Sequence, residues 1–223
     1  MRFLLSRYSV NRFYLFDDIF IVDKKRVHAF CDRLEATLLQ EYQFDWHCLA
    51  RADILDDELY KHMYRAGCRQ ITFGIESGSN RILKFIEKEA TREENAYAIQ
   101  LAKAAKIRVR AQMIVGHPGE TDESVEETAS FMRESPADSW GVHILVPLPG
   151  SQIYDDPQKF SFEFNKETTF EHYRTIGKPG EVSAAYIHKN PDQIIAWHNY
   201  LREVAGSRNV HQFDARYKAI PVE

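Results

Sequence analysis

Short apolar runs alternate with longer amphipathic segments five times along the chain, and this rhythm limits the possible folds more than any other feature. Each apolar run is long enough for a buried strand, and the segment after it has the spacing of a helix with one apolar face. Strand–helix repeats of this kind predict a parallel sheet with right-handed crossovers and helices outside it. The predicted strands are 13–16, 44–50, 70–75, 107–115 and 140–146.

Helix signals fill the intervals between these strands. Thr91 and Glu94 have the spacing of a capping box, for example. The predicted helices are about 25–41, 56–67, 80–86, 91–105 and 122–134. Beyond residue 157 this alternation of apolar and amphipathic segments ends. There is no clear period over 158–190, and the apolar spacing over 191–204 predicts one amphipathic helix. The predicted division is a barrel-like domain over 1–157 and a small, mostly helical C-terminal appendage over 158–223.

Each predicted strand ends in a polar or glycine-rich cluster. Parallel α/β folds keep their chemistry at the carboxyl ends of the strands, in closed barrels as in open sheets. We therefore expect the clusters to converge on one functional face. They are Asp17-Asp18, Arg51, Glu76-Ser77-Gly78, Gly116 to Glu120, and Pro147 to Gly150.

Composition excludes several classes of protein. The 223 residues are 44% hydrophobic, enough for a packed core, and the net charge of −4 does not favour nucleic acid as a partner. No apolar run approaches the roughly 20 residues that a membrane helix needs, and the start of the chain lacks the cleavage site of a signal peptide. An odd number of widely spaced cysteines argues against disulfides. We expect a cytoplasmic protein with reduced, buried thiols.

The order and content of the strand-end clusters resemble the radical S-adenosylmethionine (SAM) superfamily, in particular the branch whose members often carry an N-terminal cobalamin-binding domain. The resemblance implies an α/β fold, a partial TIM-type (β/α)6 barrel. It also implies SAM and a [4Fe-4S] cluster as cofactors, with cobalamin a candidate, and reductive cleavage of SAM to a 5′-deoxyadenosyl radical. A small-molecule substrate and an electron donor would be the partners. The motifs are Phe16-Asp17-Asp18-Ile19-Phe20, Ala50-Arg51-Ala52-Asp53, Gly74 to Ser79, Met113 to Thr121, and Pro147 to Ser151.

The resemblance gives the first two clusters to the methionine end of SAM. Asp17 or Asp18 would accept hydrogen bonds from its ammonium group, while one of the two could instead cap the helix that follows. Which aspartate faces the site stays open, because alternation sends them to opposite faces. Arg51 would pair with the SAM carboxylate or an anionic substrate, or else form a rim salt bridge with Asp53 or Asp57.

The next two clusters are expected at the adenosine end. Glu76 offers two acceptor oxygens to the ribose hydroxyls, and Ser77 adds one contact; a surface acid beside a turn is the plain alternative for Glu76. In Gly116-His117-Pro118-Gly119, the missing Cβ atoms of Gly116 and Gly119 would let the backbone approach adenine. The cluster with Pro118 would be only a turn were it not at a strand end.

Val146 and Leu148, with the prolines beside Leu148, are expected to form an apolar wall for adenine, although core residues would look the same in sequence. His117 and His143 lie on adjacent predicted strands, but no histidine spacing marks a metal site. No metal ligand and no catalytic residue is therefore assigned.

The family's cluster loop, Cys-x-x-x-Cys-x-x-Cys, would follow the first strand, yet no cysteine precedes Asp17. Cys31, Cys48 and Cys68 lie too far apart in sequence to replace it. We expect the first strand–helix unit to be missing and the chain alone to be inactive. Three explanations stay open: a fragment of a longer enzyme, a chain that joins a second polypeptide carrying the cluster, and a non-catalytic binding or scaffold module. An aldolase-type barrel enzyme is disfavoured, because no lysine stands at a strand end.

Overall fold

The computed structural model describes residues 1–8, 10–54, 56–164 and 188–209. It has an α/β fold whose five strands form one sheet in the order β1-β2-β3-β4-β5. All five predicted strands are present, with ends shifted by up to two residues, which confirms the rhythm of the sequence. The strands are β1 (Arg12–Leu15), β2 (Asp45–Ala50), β3 (Cys68–Glu76), β4 (Arg108–Val115) and β5 (Ser139–Ile144).

Pairing between neighbouring strands is parallel. Strand β1 pairs with β2 from Arg12 opposite Asp45 to Leu15 opposite Cys48, and β2 pairs with β3 after a register shift at its second residue. Strands β4 and β5 run in the same direction. The Asp138 N–H donates to the Val109 carbonyl before β5, and the Leu145 N–H donates to the Val115 carbonyl after it. Parallel neighbours need crossovers, and the helices supply them.

The helices fall where the amphipathic segments predict them, with two differences. The segment predicted as one helix over 25–41 is broken at Thr37, whose backbone leaves the helical region with φ −132° and ψ −84°. A first helix that the sequence did not indicate buries none of its side chains. The helices are α1 (Arg2–Arg7), α2 (Lys24–Ala36), α3 (Leu38–Glu41), α4 (Asp57–Arg65), α5 (Asn80–Phe85), α6 (Arg92–Ala104), α7 (Asp122–Glu134), α8 (Gln152–Asp155) and α9 (Pro191–Ala205), with short 3-10 helices at Phe20–Val22, Pro157–Phe160 and Gly206–Arg208.

Side-chain caps fix the helix starts. The carboxylate of Asp23 accepts hydrogen bonds from the backbone N–H groups of Lys25 and Arg26 at the start of α2. The expectation that Asp17 or Asp18 caps this helix is therefore wrong, because the short 3-10 helix between them and α2 moves its start beyond their reach. The predicted capping box at Thr91 is confirmed in both directions.

By contacts, the described residues group into two compact units: 1–75, 87–112 and 134–139 in unit 1, and 76–86, 113–133 and 140–209 in unit 2. The core of unit 1 centres on Trp46, which is fully buried and donates its indole N–H to the Ala66 carbonyl at 2.8 Å. The rings of Phe20 and Phe30 both lie 5.4 Å from the Trp46 ring. Three aromatic side chains thus anchor α2 to β2.

In unit 2 the largest buried side chain is Trp140, with the Phe131 ring edge-on at 6.1 Å. Helix α9 is tied to the start of α7, where the Trp197 indole donates to Asp122 Oδ1 at 2.6 Å. The predicted C-terminal helix over 191–204 is confirmed as α9.

Residues 165–187, which make up most of the segment without a clear period, lie outside the described residues. The boundary at 157/158 stays a prediction. Among the residues that the structure describes, no helix combines the length and the apolar character that a bilayer span requires.

Candidate functional site

The acids after β1, in unit 1, are on the surface. Asp17 and Asp18 are both exposed, so the alternation expected from a continuing strand does not apply after Leu15. Asp17 Oδ1 lies 3.6 Å from Arg26 Nη1. The same guanidinium also donates from Nη2 to the Phe20 carbonyl at 2.6 Å. The proposed ammonium-binding role of the two acids stays a prediction.

Arg51, which follows β2 in the same unit, is engaged with neighbouring acids. Its Nε and Nη2 donate to the two oxygens of Asp53 at 3.0 and 2.8 Å, a bidentate ion pair. Nη2 also contacts the Glu89 carboxylate, and both acids raise the pKa of the Arg51 guanidinium. The other rim candidate, Asp57, pairs with Lys61 at 2.5 Å. The rim salt bridge to Asp53 is the arrangement observed.

The turn after β3, in unit 2, has an unusual backbone. Glu76 has φ 70°, a left-handed conformation that is uncommon for a residue with a side chain. Two residues on, a Cβ at Gly78 would come within 2.7 Å of both Phe131 Cβ and Thr128 Cα. Only glycine lets the turn lie directly on α7, and the conformation of Glu76 just before it is one that costs free energy.

Buried hydroxyl groups lock this turn. Thr128 Oγ1 donates to the Ser124 carbonyl at 3.0 Å and accepts the Gly78 N–H at 3.0 Å. Its only proton is thereby used, so the 3.2 Å contact with Ser77 Oγ has Ser77 as donor. Ser77 Oγ also accepts the Ser79 N–H at 3.1 Å and is fully buried. In this structure Ser77 braces the turn, and its contact with a ribose stays a prediction.

The loop after β4 closes on itself. Gly116 and Gly119 have φ 95° and 74°, which glycine adopts readily. Glu120 Oε2 accepts the N–H groups of Gly116 at 2.6 Å and His117 at 3.1 Å. Arg81 donates to the Gly119 carbonyl at 2.8 Å from outside. The loop is held in one shape by charged side chains on both sides.

Burial makes the Glu120 carboxyl a weaker acid than an exposed glutamate. Loss of water raises its pKa to about 7, even though the backbone N–H groups of Gly116 and His117 favour the charged form. The Glu120 carboxylate reaches back into its own loop rather than forward to α7, which starts two residues later.

A histidine from the C-terminal segment lies against the same loop. A Cβ at Gly116 would come within 2.8 Å of His188 Cε1, so the ring occupies the space that a side chain would need. His188 Nε2 lies 2.9 Å from the Leu145 carbonyl oxygen, and burial lowers its pKa. A neutral ring that donates from Nε2 satisfies this contact. Local sequence spacing could not reveal the pair, because its members belong to distant segments.

The remaining predicted residues of unit 2 follow β5 or lie in the β4 loop. Leu148 is 56% exposed, and Val146 is half-buried. Pro118 and His117 are buried within their loop, while His143 is half-buried. The exposed apolar side chain of Leu148 suits the predicted adenine wall, which stays a prediction.

Comparison with known proteins identifies the family. The model of the radical SAM superfamily matches residues 10–132, more than half of the chain. An uncharacterized methyltransferase of Pyrococcus horikoshii is 31% identical over 66% of this chain and 32% of its own length. An anaerobic magnesium-protoporphyrin IX monomethyl ester cyclase of Rubrivivax gelatinosus is 32% identical over 72% of this chain and 29% of its own. The chain thus spans about a third of the length of these relatives.

Solved structures share the fold. The cobalamin-dependent SAM radical enzyme OxsB, with aqua-cobalamin bound, aligns with a TM-score of 0.53 over 70% of this chain and 24% of its own, at 23% identity. The radical SAM methyltransferase TsrM from Kitasatospora setae, with cobalamin and a [4Fe-4S] cluster bound, aligns with a TM-score of 0.57 over 65% of this chain and 27% of its own, at 18% identity. At these identities the likeness concerns the fold alone.

Proposed function

Because the chain belongs to the radical SAM superfamily, we propose that it is the SAM-binding portion of an enzyme that cleaves SAM reductively. The [4Fe-4S] cluster that the superfamily uses would be bound outside this sequence, in a (β/α)6-type barrel to which this chain contributes five strands. The observation that carries the proposal is the turn after β3, where Glu76 has a left-handed conformation and Gly78 packs directly on α7.

The cysteines of the chain do not fit the cluster. Iron is bound by thiolates, but Cys31, Cys48 and Cys68 are all buried. Burial raises the pKa of Cys31 to about 12 and raises that of Cys68 as well, which keeps both as thiols. The Cys68 thiol donates to the Gln70 carbonyl, with Sγ 3.7 Å from the oxygen. These side chains are core residues of unit 1, and the electron needed for cleavage would enter through another segment or polypeptide.

The side chains of unit 2 suit the adenosine end of SAM. The Glu76 carboxylate has two acceptor oxygens for a ribose diol, and the locked turn fixes its backbone before the ligand arrives, which lowers the entropy cost of binding. In the loop after β4 the N–H groups of Gly116 and His117 already bind Glu120, so contact of this loop with adenine stays a prediction. Leu148 supplies exposed apolar surface for an adenine ring.

The reaction catalysed on the final substrate is not assigned by these contacts. The similar proteins include a methyltransferase and a cyclase, so methyl transfer and ring formation are both compatible. Cobalamin stays a candidate cofactor of the whole enzyme. The roles of Asp17 and Asp18 rest on the family resemblance alone, and Arg51 is assigned here to its ion pair with Asp53.

The test is calorimetric titration of the chain with SAM and with S-adenosylhomocysteine, which shares the adenosine end. Wild type should bind both, and Glu76→Gln should bind both about tenfold more weakly, because a charge-assisted hydrogen bond is worth about 1.5–3 kcal/mol. Glu87→Gln is the matched control, since Glu87 is an exposed glutamate that also has a positive φ, of 55°. Its affinity should equal that of wild type.

Two outcomes would contradict the proposal. Absence of saturable binding by wild type would favour the non-catalytic scaffold, and equal affinities for wild type and Glu76→Gln would remove Glu76 from the site. Supplying a cluster-bearing segment should then yield SAM cleavage to 5′-deoxyadenosine. Binding without cleavage in that reconstituted system would leave a SAM-binding module rather than an enzyme.

A further inference from the structure

Helices α2 and α4 of unit 1 bring two histidines and two acids together, away from the strand ends. His28, Asp32 and Glu35 are spaced four and three residues apart on α2, which places them on one face of that helix. His62 projects from α4 toward the same face and is 9% exposed, so its ring is fixed between the helices. None of these residues has a role in the proposed SAM site.

The distances match ligands that share one metal ion. His62 Nε2 lies 3.3 Å from Asp32 Oδ1 and 3.7 Å from Glu35 Oε2, and the three ligand atoms all lie within 4.8 Å of one another. Direct N–H···O hydrogen bonds cluster near 2.9 Å, shorter than either distance. Two ligands at about 2.0–2.2 Å from a tetrahedral zinc ion are separated by about 3.3–3.6 Å.

His28 sets the orientation of the His62 ring. The two Nδ1 atoms are 2.7 Å apart, so one of them donates a proton to the other. When His62 donates, its Nε2 carries a free lone pair that faces the two carboxylates. Metal-binding histidines commonly use their second nitrogen in this way, as a donor that fixes the tautomer and the ring orientation. The opposite proton placement would put an N–H on Nε2 and leave no lone pair for an ion.

Charge and access also suit a cation. Two carboxylates and a neutral imidazole carry a formal charge of −2, which a divalent ion would neutralise. The Asp32 side chain is 72% exposed, so an ion can enter from solvent and keep a water ligand. Arg65 lies 3.8 Å from the other Glu35 oxygen, Oε1, which leaves Oε2 for the ion.

From this arrangement we propose that Asp32, Glu35 and His62 bind one divalent transition-metal ion, zinc fitting best, with His28 as a positioning residue. A mixed nitrogen and oxygen ligand set in tetrahedral geometry is typical of zinc, whereas magnesium and calcium prefer oxygen ligands alone. The ion would clamp α2 to α4. It would stabilise unit 1 because it binds the folded chain and not the unfolded one.

The experiment uses the chelator-treated 223-residue chain and zinc in competition with a chromophoric chelator. Wild type should bind one zinc ion, and both Asp32→Asn and Glu35→Gln should lower the affinity at least tenfold. Asp57→Asn is the matched control, because it removes the same charge from an acid on α4 that pairs with Lys61 instead. Its affinity should be unchanged.

Cobalt(II) identifies the ligand atoms. Cobalt bound to the chain should give the visible bands of a four-coordinate nitrogen and oxygen site without a thiolate charge-transfer band. The proposal fails if wild type binds no stoichiometric zinc, if Asp32→Asn and Glu35→Gln bind zinc as wild type does, or if the thiolate band appears. The last outcome would place the ion on the buried cysteines.

His28 is tested by replacement and rescue. His28→Phe keeps a ring but removes the acceptor, and zinc affinity should fall about tenfold, the lower end for a residue that orients a ligand. His28→Gln restores an acceptor and should recover most of the loss. If both variants bind zinc with the affinity of wild type, His28 only fills space. A loss in His28→Phe that His28→Gln does not recover would also contradict the positioning role.

Discussion

The end of β2 and the turn after β3 look alike in sequence, since each is a short polar cluster behind an apolar run, but they are built differently. At the end of β2, Arg51 is held by the acidic side chains of Asp53, which is partly exposed, and Glu89, which is exposed. After β3, the chain is held by Gly78, whose backbone lies against α7, and by the buried hydroxyl of Thr128.

Two strand-end clusters that look alike in sequence can therefore contribute to binding in different ways. Exposed ion pairs rearrange at little cost, so they can exchange one partner for another. Buried hydrogen bonds and close backbone packing cannot, because every displaced group must find a new partner. The turn after β3 is therefore preformed, whereas the ion pairs of Arg51 can exchange partners.

The largest expected effect is at Gly78. In Gly78→Ala the new methyl group would overlap Phe131 and the α7 backbone, and we expect the free energy of unfolding to fall by about 3 kcal/mol. Gly150→Ala is the control, because a Cβ there meets no atom within 4 Å and only the positive φ of 86° is penalised, by about 1 kcal/mol. Urea unfolding measures both. Equal losses would mean that close packing does not hold the turn.

A middle-sized effect is expected at Glu120. Its pKa is raised from 4.5 to about 7, so the folded state favours the protonated carboxyl. This stabilisation is fully present below about pH 4.5 and is lost as the pH rises through about 7. Glu120→Gln keeps an acceptor for the Gly116 N–H but cannot ionise.

Relative to wild type, Glu120→Gln should therefore gain stability between pH 5 and pH 8, by an amount on the order of 2 kcal/mol, since one pKa unit corresponds to about 1.4 kcal/mol. The measurement is urea unfolding of both proteins across that range. A constant difference between the two proteins at all pH values would show that the Glu120 carboxyl titrates normally in the folded chain.

The smallest change in the free energy of unfolding is expected at the ion pair of Arg51 with Asp53. Arg51→Gln removes the partly exposed ion pair with Asp53, and we expect a loss of less than about 1 kcal/mol in the free energy of unfolding. Lys61→Gln, which breaks another surface pair on α4, should behave similarly. A loss at Arg51 as large as that of Gly78→Ala would erase the contrast between the two regions.

Much of the fold is predictable because apolar periodicity and local caps operate over a few residues. The five strands, the capping box at Thr91 and the C-terminal helix α9 follow from such signals. The break at Thr37 and the use of Asp23 as the cap of α2 depend on how the segment before the helix turns. A pattern that lists candidate caps cannot choose between them.

The parts that escaped prediction are contacts between distant segments. Glycine at 116 was expected to admit a ligand, and the structure places the His188 ring beside it. The spacing of His28, Asp32 and Glu35 was visible on a predicted helix, but its meaning depends on His62, which another helix supplies. The spacing of residues on one helix does not predict which side chains a second helix will place beside them.

The contact between Gly116 and His188 also implies a constraint on how this protein can vary over evolutionary time. A larger residue at 116 would displace the imidazole, and a bulkier group at 188 would press on the β4 loop. A smaller residue at 188 would make room for a side chain at 116 but would not relieve the positive φ of 95°, which favours glycine. In a collection of related sequences, glycine should therefore persist at 116, and the size of the residue at 188 should stay limited by the loop that it touches.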